Sequence, residues 1–230
     1  MEAIVLAGGL GTRLRDVVSD IPKPMAPVAG RPFLEILLAN LARKGFGRVI
    51  LSIGHLAQAI TRHFGDAFEG MALSYEIEPI PLGTGGAARA ALARCDEDHA
   101  FVFNGDTFLD LELAEVEALW RKTRAPIVVA RHVADTTRYG RLDVRDGLVL
   151  LFREKGIPGS GLINAGSYLM PRDALAHFAR GTPFSLETDY LIPAVRDTRV
   201  HAFVTHGFFI DIGLPEDFRR AQAIFAGSSE

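Results

Sequence analysis

Val5-Leu6-Ala7-Gly8-Gly9-Leu10-Gly11-Thr12-Arg13-Leu14-Arg15 leads, a few residues on, into Ile21-Pro22-Lys23-Pro24. A short apolar strand at 3–7 runs straight into a loop that carries three glycines. Glycine lets the backbone approach a ligand closely, and bare N–H groups suit phosphate oxygens. Arg13, Arg15 and Lys23 add fixed positive charge. A plain strand-to-helix turn needs one glycine and no cluster of cations. The stretch reads as a polyphosphate site whose far end leaves as an anion.

Two common phosphate motifs do not describe it. A Walker A loop needs Gly, four residues, Gly, Lys and then Ser or Thr. Here Gly8 and Lys23 are far apart and Pro24 follows the lysine. A dinucleotide fingerprint needs a third Gly or Ala where Leu14 stands. Gly83-Thr84-Gly85-Gly86-Ala87-Ala88 matches that fingerprint in letters, but it follows Pro81-Leu82 and not an apolar strand. A dinucleotide-dependent oxidoreductase is therefore disfavoured.

Outward from the loop, short apolar strands alternate with helical patterns. Strands are expected at 3–7, 48–53, 73–77, 100–104 and 126–131. After Arg31-Pro32, Leu34, Leu37, Leu38 and Leu41 form one helical stripe, and Gly45 sits where a C-terminal cap belongs. A second helix, rich in alanine, is expected at 85–93. This β-α-β rhythm predicts an α/β fold: a Rossmann-like three-layer α/β/α arrangement with a mixed, mostly parallel sheet. The second half reads differently. Asp146-Gly147 between 141–144 and 148–153 is a hairpin signal. A long strand is expected at 162–170, with helices near 186–195 and 215–225. Pro215 followed by Glu216 and Asp217 makes a good helix start. Without repeats or low-complexity linkers, residues 1–230 are expected to form a single domain.

The chain has 230 residues, 48% of them hydrophobic, enough for a substantial core. A net charge of −3 disfavours a nucleic-acid surface. The lone Cys95 cannot form an internal disulfide, consistent with a reducing compartment. Neither a signal-peptide pattern nor an apolar run of membrane-spanning length is evident. A soluble cytoplasmic protein, with no nucleic-acid or membrane partner, is expected.

Asn104-Gly105-Asp106 follows an apolar strand, which puts Asp106 at a strand's carboxyl end, where open α/β sheets bind ligands. Phe209-Ile210-Asp211-Ile212-Gly213 places a second carboxylate at another strand end. Asp106 and Asp211 together could hold Mg²⁺, which takes one or two carboxylates plus phosphate oxygens. Each alone could equally be a turn or capping Asp. Glu154-Lys155 follows a strand and Asn164-Ala165-Gly166 lies within one. A lysine beside the metal can hold a second phosphate, while Glu154 and Asn164 can hydrogen-bond sugar hydroxyls. A solvated surface pair is the bland alternative for Glu154 and Lys155.

Taken in order, the glycine loop with Arg13, Pro22-Lys23-Pro24, Pro81-Leu82-Gly83-Thr84-Gly85-Gly86, Asn104-Gly105-Asp106, Tyr139-Gly140, Glu154-Lys155, Asn164-Ala165-Gly166 and Asp211-Ile212-Gly213 resemble the sugar-1-phosphate nucleotidyltransferase family. The resemblance runs from the first residues to about residue 220. It implies transfer of a nucleoside monophosphate from a nucleoside triphosphate to a sugar 1-phosphate, with release of pyrophosphate. It implies that Leu6, Ala7, Gly8, Gly9, Gly11 and Thr12 contact the nucleotide and that Arg13 and Lys23 neutralise the triphosphate. Gly83 and Thr84 would pack against base and ribose. Mg²⁺ would sit on Asp106 and Asp211, Lys155 would hold the sugar phosphate, and Gly140, Glu154 and Asn164 would read the sugar. GTP and a manno-heptose 1-phosphate are the favoured pair, with a bacterial surface polysaccharide as the product's destination. Mannose 1-phosphate with GTP, N-acetylmuramate 1-phosphate with UTP, and a non-catalytic nucleotide-sugar sensor are the alternatives.

The residues themselves suggest one further reader. Guanine offers adjacent N1–H and N2–H donors, and a carboxylate accepts both. Uracil and thymine present one donor beside two acceptors there. Glu78, just upstream of Pro81-Leu82-Gly83, is expected to read guanine, with Glu76 as the rival carboxylate.

Overall fold

β1 (Glu2–Leu6) shows how the chain layers itself. Side chains alternate across a strand. Ala3 and Val5 go to one face, with Leu34, Leu37, Leu38 and Leu41, and Ile4 goes to the other, with Ala88, Ala91 and Leu92. Both faces are apolar, so both must be covered by helices. Each fully buried leucine contributes about 1.5–3 kcal/mol to that stacking.

The computed structural model describes residues 1–9, 21–197, 199–213 and 215–227. A one-turn 3₁₀ helix (Lys23–Met25) precedes a small hairpin, β2 (Pro27–Val28) and β3 (Arg31–Pro32), which leads into α1 (Phe33–Arg43). Then follow β4 (Arg48–Ile53), α2 (Ala57–Phe64), β5 (Ala67–Phe68), β6 (Met71–Ile77) and α3 (Gly83–Leu92). β7 (His99–Asn104), β8 (Thr107–Leu109), α4 (Leu113–Thr123), β9 (Ile127–Val133), β10 (Arg141–Arg145), β11 (Leu148–Arg153) and β12 (Gly161–Pro171) come next. A π-helical turn (Leu186–Leu191) runs into α5 (Ile192–Asp197), and β13 (His201–Thr205), β14 (Phe209–Asp211) and α6 (Pro215–Ala226) complete the order.

Ten of these strands form one mixed sheet in the order β10-β11-β13-β9-β12-β7-β1-β4-β6-β5. β1 pairs in parallel with β4 and β7, β4 with β6, and β9 with β13. β12 is antiparallel to both its neighbours, β11 to both of its own, and β5 to β6. Strand direction therefore follows the expected mostly parallel pattern, and three strands run against the rest. Helices α1, α2 and α4 supply Leu34, Ile60 and Trp120 to one face. Helix α3 and the π-turn supply Ala88, Leu186 and Leu191 to the other. No helix among the described residues is long and apolar enough to cross a membrane.

The expected strands and the helices expected after Pro32, at 85–93 and at 215–225 are present, with ends shifted by a residue or two, whereas α2 and α4 were not anticipated. The helix expected at 186–195 begins as a π-turn, not as a regular α-helix. The short pair β8–β14 was not legible. Asp211 does end a strand, but among the described residues that strand lies outside the large sheet and pairs only with β8, Asp211 opposite Thr107. A separate apolar cluster of Phe33, Phe108, Ile210, Ile212 and Phe218 holds this ribbon under α6.

Candidate active site

The parallel strands β1 and β7 end side by side, and Gly105 closes the seam. Its N–H donates to the Leu6 carbonyl at 2.9 Å. A Cβ at this position would lie 2.9 Å from that oxygen and 3.2 Å from Ala7 Cα, so any side chain would wedge the two strand ends apart. Close approach here brings Asp106 beside the loop that follows β1.

The β8–β14 ribbon brings up the second carboxylate. Ile212 N–H donates to the Asp106 carbonyl at 2.9 Å, so the two aspartate segments are joined through backbone. Gly213 N–H donates to Asp211 Oδ1 at 2.6 Å. Lys23, set by the 3₁₀ turn after Pro22, donates from Nζ to Asp106 Oδ2 at 2.5 Å. Burial pushes the Asp211 carboxyl above the usual carboxylate range, and the charge of Asp106 adds to this; the Gly213 N–H and Lys23 pull the other way. Two carboxylates thus face one ammonium. Among the described residues no group of three His, Cys, Asp or Glu side chains could hold a metal. Two carboxylates with a surplus negative charge nonetheless suit a divalent cation that draws its remaining ligands from phosphate oxygens and water.

Two cavities meet at Asp106. The larger, about 470 Å³, is lined by Leu6, Ala7, Gly8, Gly9, Lys23, Glu78, Gly83, Thr84 and Asp106, among others. The smaller, about 270 Å³, is lined by Tyr139, Gly140, Lys155, Asn164, Glu187 and Asp211, among others. Thr84, Asn104 and Asp106 line both. The sequence-derived nucleotide residues that are described all fall on the first cavity. Three of the four sugar-phosphate residues fall on the second. The fourth, Glu154, is exposed and lines neither. Lys155 is exposed at the rim. Gly11, Thr12 and Arg13 lie outside the described residues.

Glu78 is fixed in the wall of the larger cavity. Its Oε1 accepts from Ser52 Oγ at 3.1 Å and its Oε2 from Leu82 N–H at 2.9 Å. Each carboxylate oxygen keeps a lone pair for a ligand. The rival Glu76 lines neither cavity and pairs with Arg94 at 3.2 Å. Thr84 Oγ1 accepts from Leu186 N–H at 3.0 Å, which ties the start of α3 to the π-turn across the mouth of the site.

In the smaller cavity a bulge aims the side chains. Asn164 lies opposite Ala130 and Tyr168 opposite Val128, so four steps on β12 face two on β9. The strand bends between them, as bulged strands do. Tyr139 is held from behind. Arg138 bonds Asp217 in the first turn of α6 and lies 5.6 Å over the Tyr139 ring, which packs edge-on against Phe209.

Sequence reasoning did not single out Tyr139, Tyr168 or Glu187 as site residues. Glu187 carried a local signal: Ser185 caps the turn by accepting from Thr188 N–H at 3.1 Å, and Asp189 accepts from Ser185 N–H at 2.7 Å. A Ser followed by acidic residues marks a helix start, but not which acid faces a ligand.

The family model described as Nucleotidyl transferase matches residues 2–227. The chain is 38% identical over 223 residues to a D-glycero-alpha-D-manno-heptose 1-phosphate guanylyltransferase of Aneurinibacillus thermoaerophilus, covering 96% of this chain and 97% of that one. It is 40% identical over 219 residues to the protein of the same name from Campylobacter jejuni, covering 95% and 97%. The crystal structure of HddC from Yersinia pseudotuberculosis complexed with GMP-PN superposes with a TM-score of 0.87 at 36% identity, over 97% of this chain and 99% of that one. A two-chamber site at the carboxyl ends of the parallel strands, together with full-length similarity to these proteins, establishes that the chain belongs to the nucleotidyl transferase family.

Proposed function

We propose that the protein transfers GMP from GTP to D-glycero-α-D-manno-heptose 1-phosphate, giving the GDP-heptose and pyrophosphate. The observation that carries this reading is the pair of cavities joined at Asp106, one chamber for each substrate. The two heptose 1-phosphate guanylyltransferases and the HddC complex with GMP-PN support the choice of substrates.

The reaction needs little covalent chemistry from the protein. The nucleophile is a phosphate oxygen of the sugar 1-phosphate. A phosphate monoester has its second pKa near about 6 and is already anionic at neutral pH. No general base is required. The oxygen attacks the α-phosphorus, the bond from that phosphorus to the bridging oxygen breaks, and pyrophosphate leaves with the electron pair. The obstacles are the approach of two anions and the charge that gathers on the leaving group. Both call for positioning and fixed positive charge.

In this reading the backbone of Leu6 to Gly9, with Gly11 and Thr12, cradles the nucleotide. Arg13 and Lys23 neutralise the triphosphate. Glu78 accepts the N1–H and N2–H of guanine, while Gly83 and Thr84 pack against base and ribose. Lys155 holds the sugar phosphate in line, and Gly140 and Asn164 border the sugar. Asp106 and Asp211 hold Mg²⁺, which when bound supplies positive charge to the α-phosphate and the leaving group. Residues 1–230 act as one domain in the cytoplasm, and the product is an activated heptose for a bacterial surface polysaccharide.

A pyrophosphate-release assay over four nucleoside triphosphates and a panel of sugar 1-phosphates tests the reading. GTP with the manno-heptose 1-phosphate is expected to be fastest. Faster turnover with UTP, or no pyrophosphate with any pair, overturns it.

A further inference from the structure

The amide of Asn164 is already committed inside the protein. Its Nδ2 donates to Tyr168 Oη at 2.9 Å and to Glu187 Oε2 at 2.7 Å. Its Oδ1 accepts from Gly166 N–H at 3.0 Å. An amide nitrogen has two hydrogens, and both are used. Little remains of Asn164 to read a ligand.

Glu187 stands in the opposite condition. One oxygen is held by Asn164. The other, Oε1, has no hydrogen-bond partner among the described residues and lies 3.8 Å from where a Cβ on Gly140 would stand. The side chain lines the smaller cavity and is half-buried. The Ser185 cap fixes the turn that carries it. Tyr168 is 5% exposed, and its phenol pKa is raised chiefly by burial and further by the charge of Glu187, so it stays a neutral hydroxyl beside the carboxylate.

A carboxylate in a chamber that receives a phosphate is repelled by it. Such a group is useful there only if it accepts strong hydrogen bonds, and sugar hydroxyls are the donors a sugar phosphate brings. We infer that Glu187 is the specificity residue of the sugar chamber, accepting ring hydroxyls through Oε1, and that Asn164 is a positioning residue acting through it. This rests on the sugar 1-phosphate reading above. It assigns the sugar's hydroxyl contact to the π-turn and not to β12. The same carboxylate disfavours sugars that carry a second negative group.

The test compares wild type, Glu187→Gln, Glu187→Ala, Asn164→Ala and the Glu187→Ala/Asn164→Ala double variant. Substrates are D-mannose 1-phosphate, the manno-heptose 1-phosphate, and mannose 1-phosphates lacking single ring hydroxyls. Each Glu187 variant is expected to lose about 10- to 100-fold in kcat/KM for sugar phosphate, mostly through KM. KM for GTP and the melting temperature should stay near wild type. The deoxy sugar that wild type penalises should be penalised no longer by Glu187→Ala. The double variant should be no worse than Glu187→Ala alone, because the two residues act as one unit. Unchanged sugar KM in both Glu187 variants, or additive losses in the double variant, overturns the inference while an active wild type keeps the broader reading. A wild type inert with every sugar 1-phosphate removes both.

Discussion

Lys23 Nζ lies 2.5 Å from Asp106 Oδ2, across 83 positions of sequence. The contact joins the turn after Pro22 to the seam between β1 and β7, at the wall shared by both cavities. Removing the ammonium leaves two carboxylates facing an incoming triphosphate without their nearest fixed cation. Lys23→Ala is expected to reduce kcat/KM for nucleotide by about 100-fold or more. Steady-state kinetics with GTP varied checks this; a loss seen only with varied sugar phosphate contradicts it.

Burial, and after it the charge of Asp106, pushes the Asp211 carboxyl above the usual carboxylate range. Asp106→Asn and Asp211→Asn should each suppress turnover strongly and raise the Mg²⁺ concentration needed for half-maximal rate. Chelation by EDTA should abolish activity, and added Mg²⁺ should restore it. Wild-type rates in both variants remove the metal assignment.

Glu78 is held by Ser52 and Leu82 with lone pairs left over. Glu78→Gln keeps the shape and replaces one acceptor with a donor. Its preference for GTP over UTP should fall by about 10-fold or more, since a mispaired edge costs roughly 1–3 kcal/mol. Competition between the two nucleotides measures it, and an unchanged ratio returns Glu78 to a purely structural role.

Lys155 lies on the rim of the smaller chamber only. Lys155→Ala should raise KM for sugar phosphate more than KM for nucleotide. An effect confined to the nucleotide contradicts the division between chambers.

Gly83 opens α3 with φ +68°, and a Cβ there would stand 2.6 Å from the Phe184 carbonyl oxygen. Left-handed backbone alone costs a non-glycine residue about 1–2 kcal/mol. Gly83→Ala should therefore lower stability by at least about that amount. It should also weaken GTP binding by pushing the start of α3 away from residues 184–186. Chemical denaturation and nucleotide titration read the two effects separately.

The helix stripe Leu34-Leu37-Leu38-Leu41 and the Asp146-Gly147 hairpin were both readable from local pattern. Each depends on residues within one or two turns of chain. That is why the strands of the parallel half and helices α1 and α3 could be marked from sequence, whereas α2 and α4 were not. Glu78 could be named as well, because it stands just upstream of Pro81-Leu82-Gly83 and a carboxylate accepts both donors of guanine.

What sequence alone could not decide is which distant groups meet. Lys23, Asp106 and Asp211 come together only because Gly105 seals β1 to β7 and because β8 pairs with β14, a ribbon too short to announce itself. Asn164 could be marked as polar on a strand. The bulge on β12 and the capped π-turn determine that its amide serves Glu187, leaving the carboxylate open to the chamber. Local order follows from periodicity and capping, which act over a few residues. The division of labour in the site follows from hydrogen-bond capacity, which can be counted only after folding has brought the partners together.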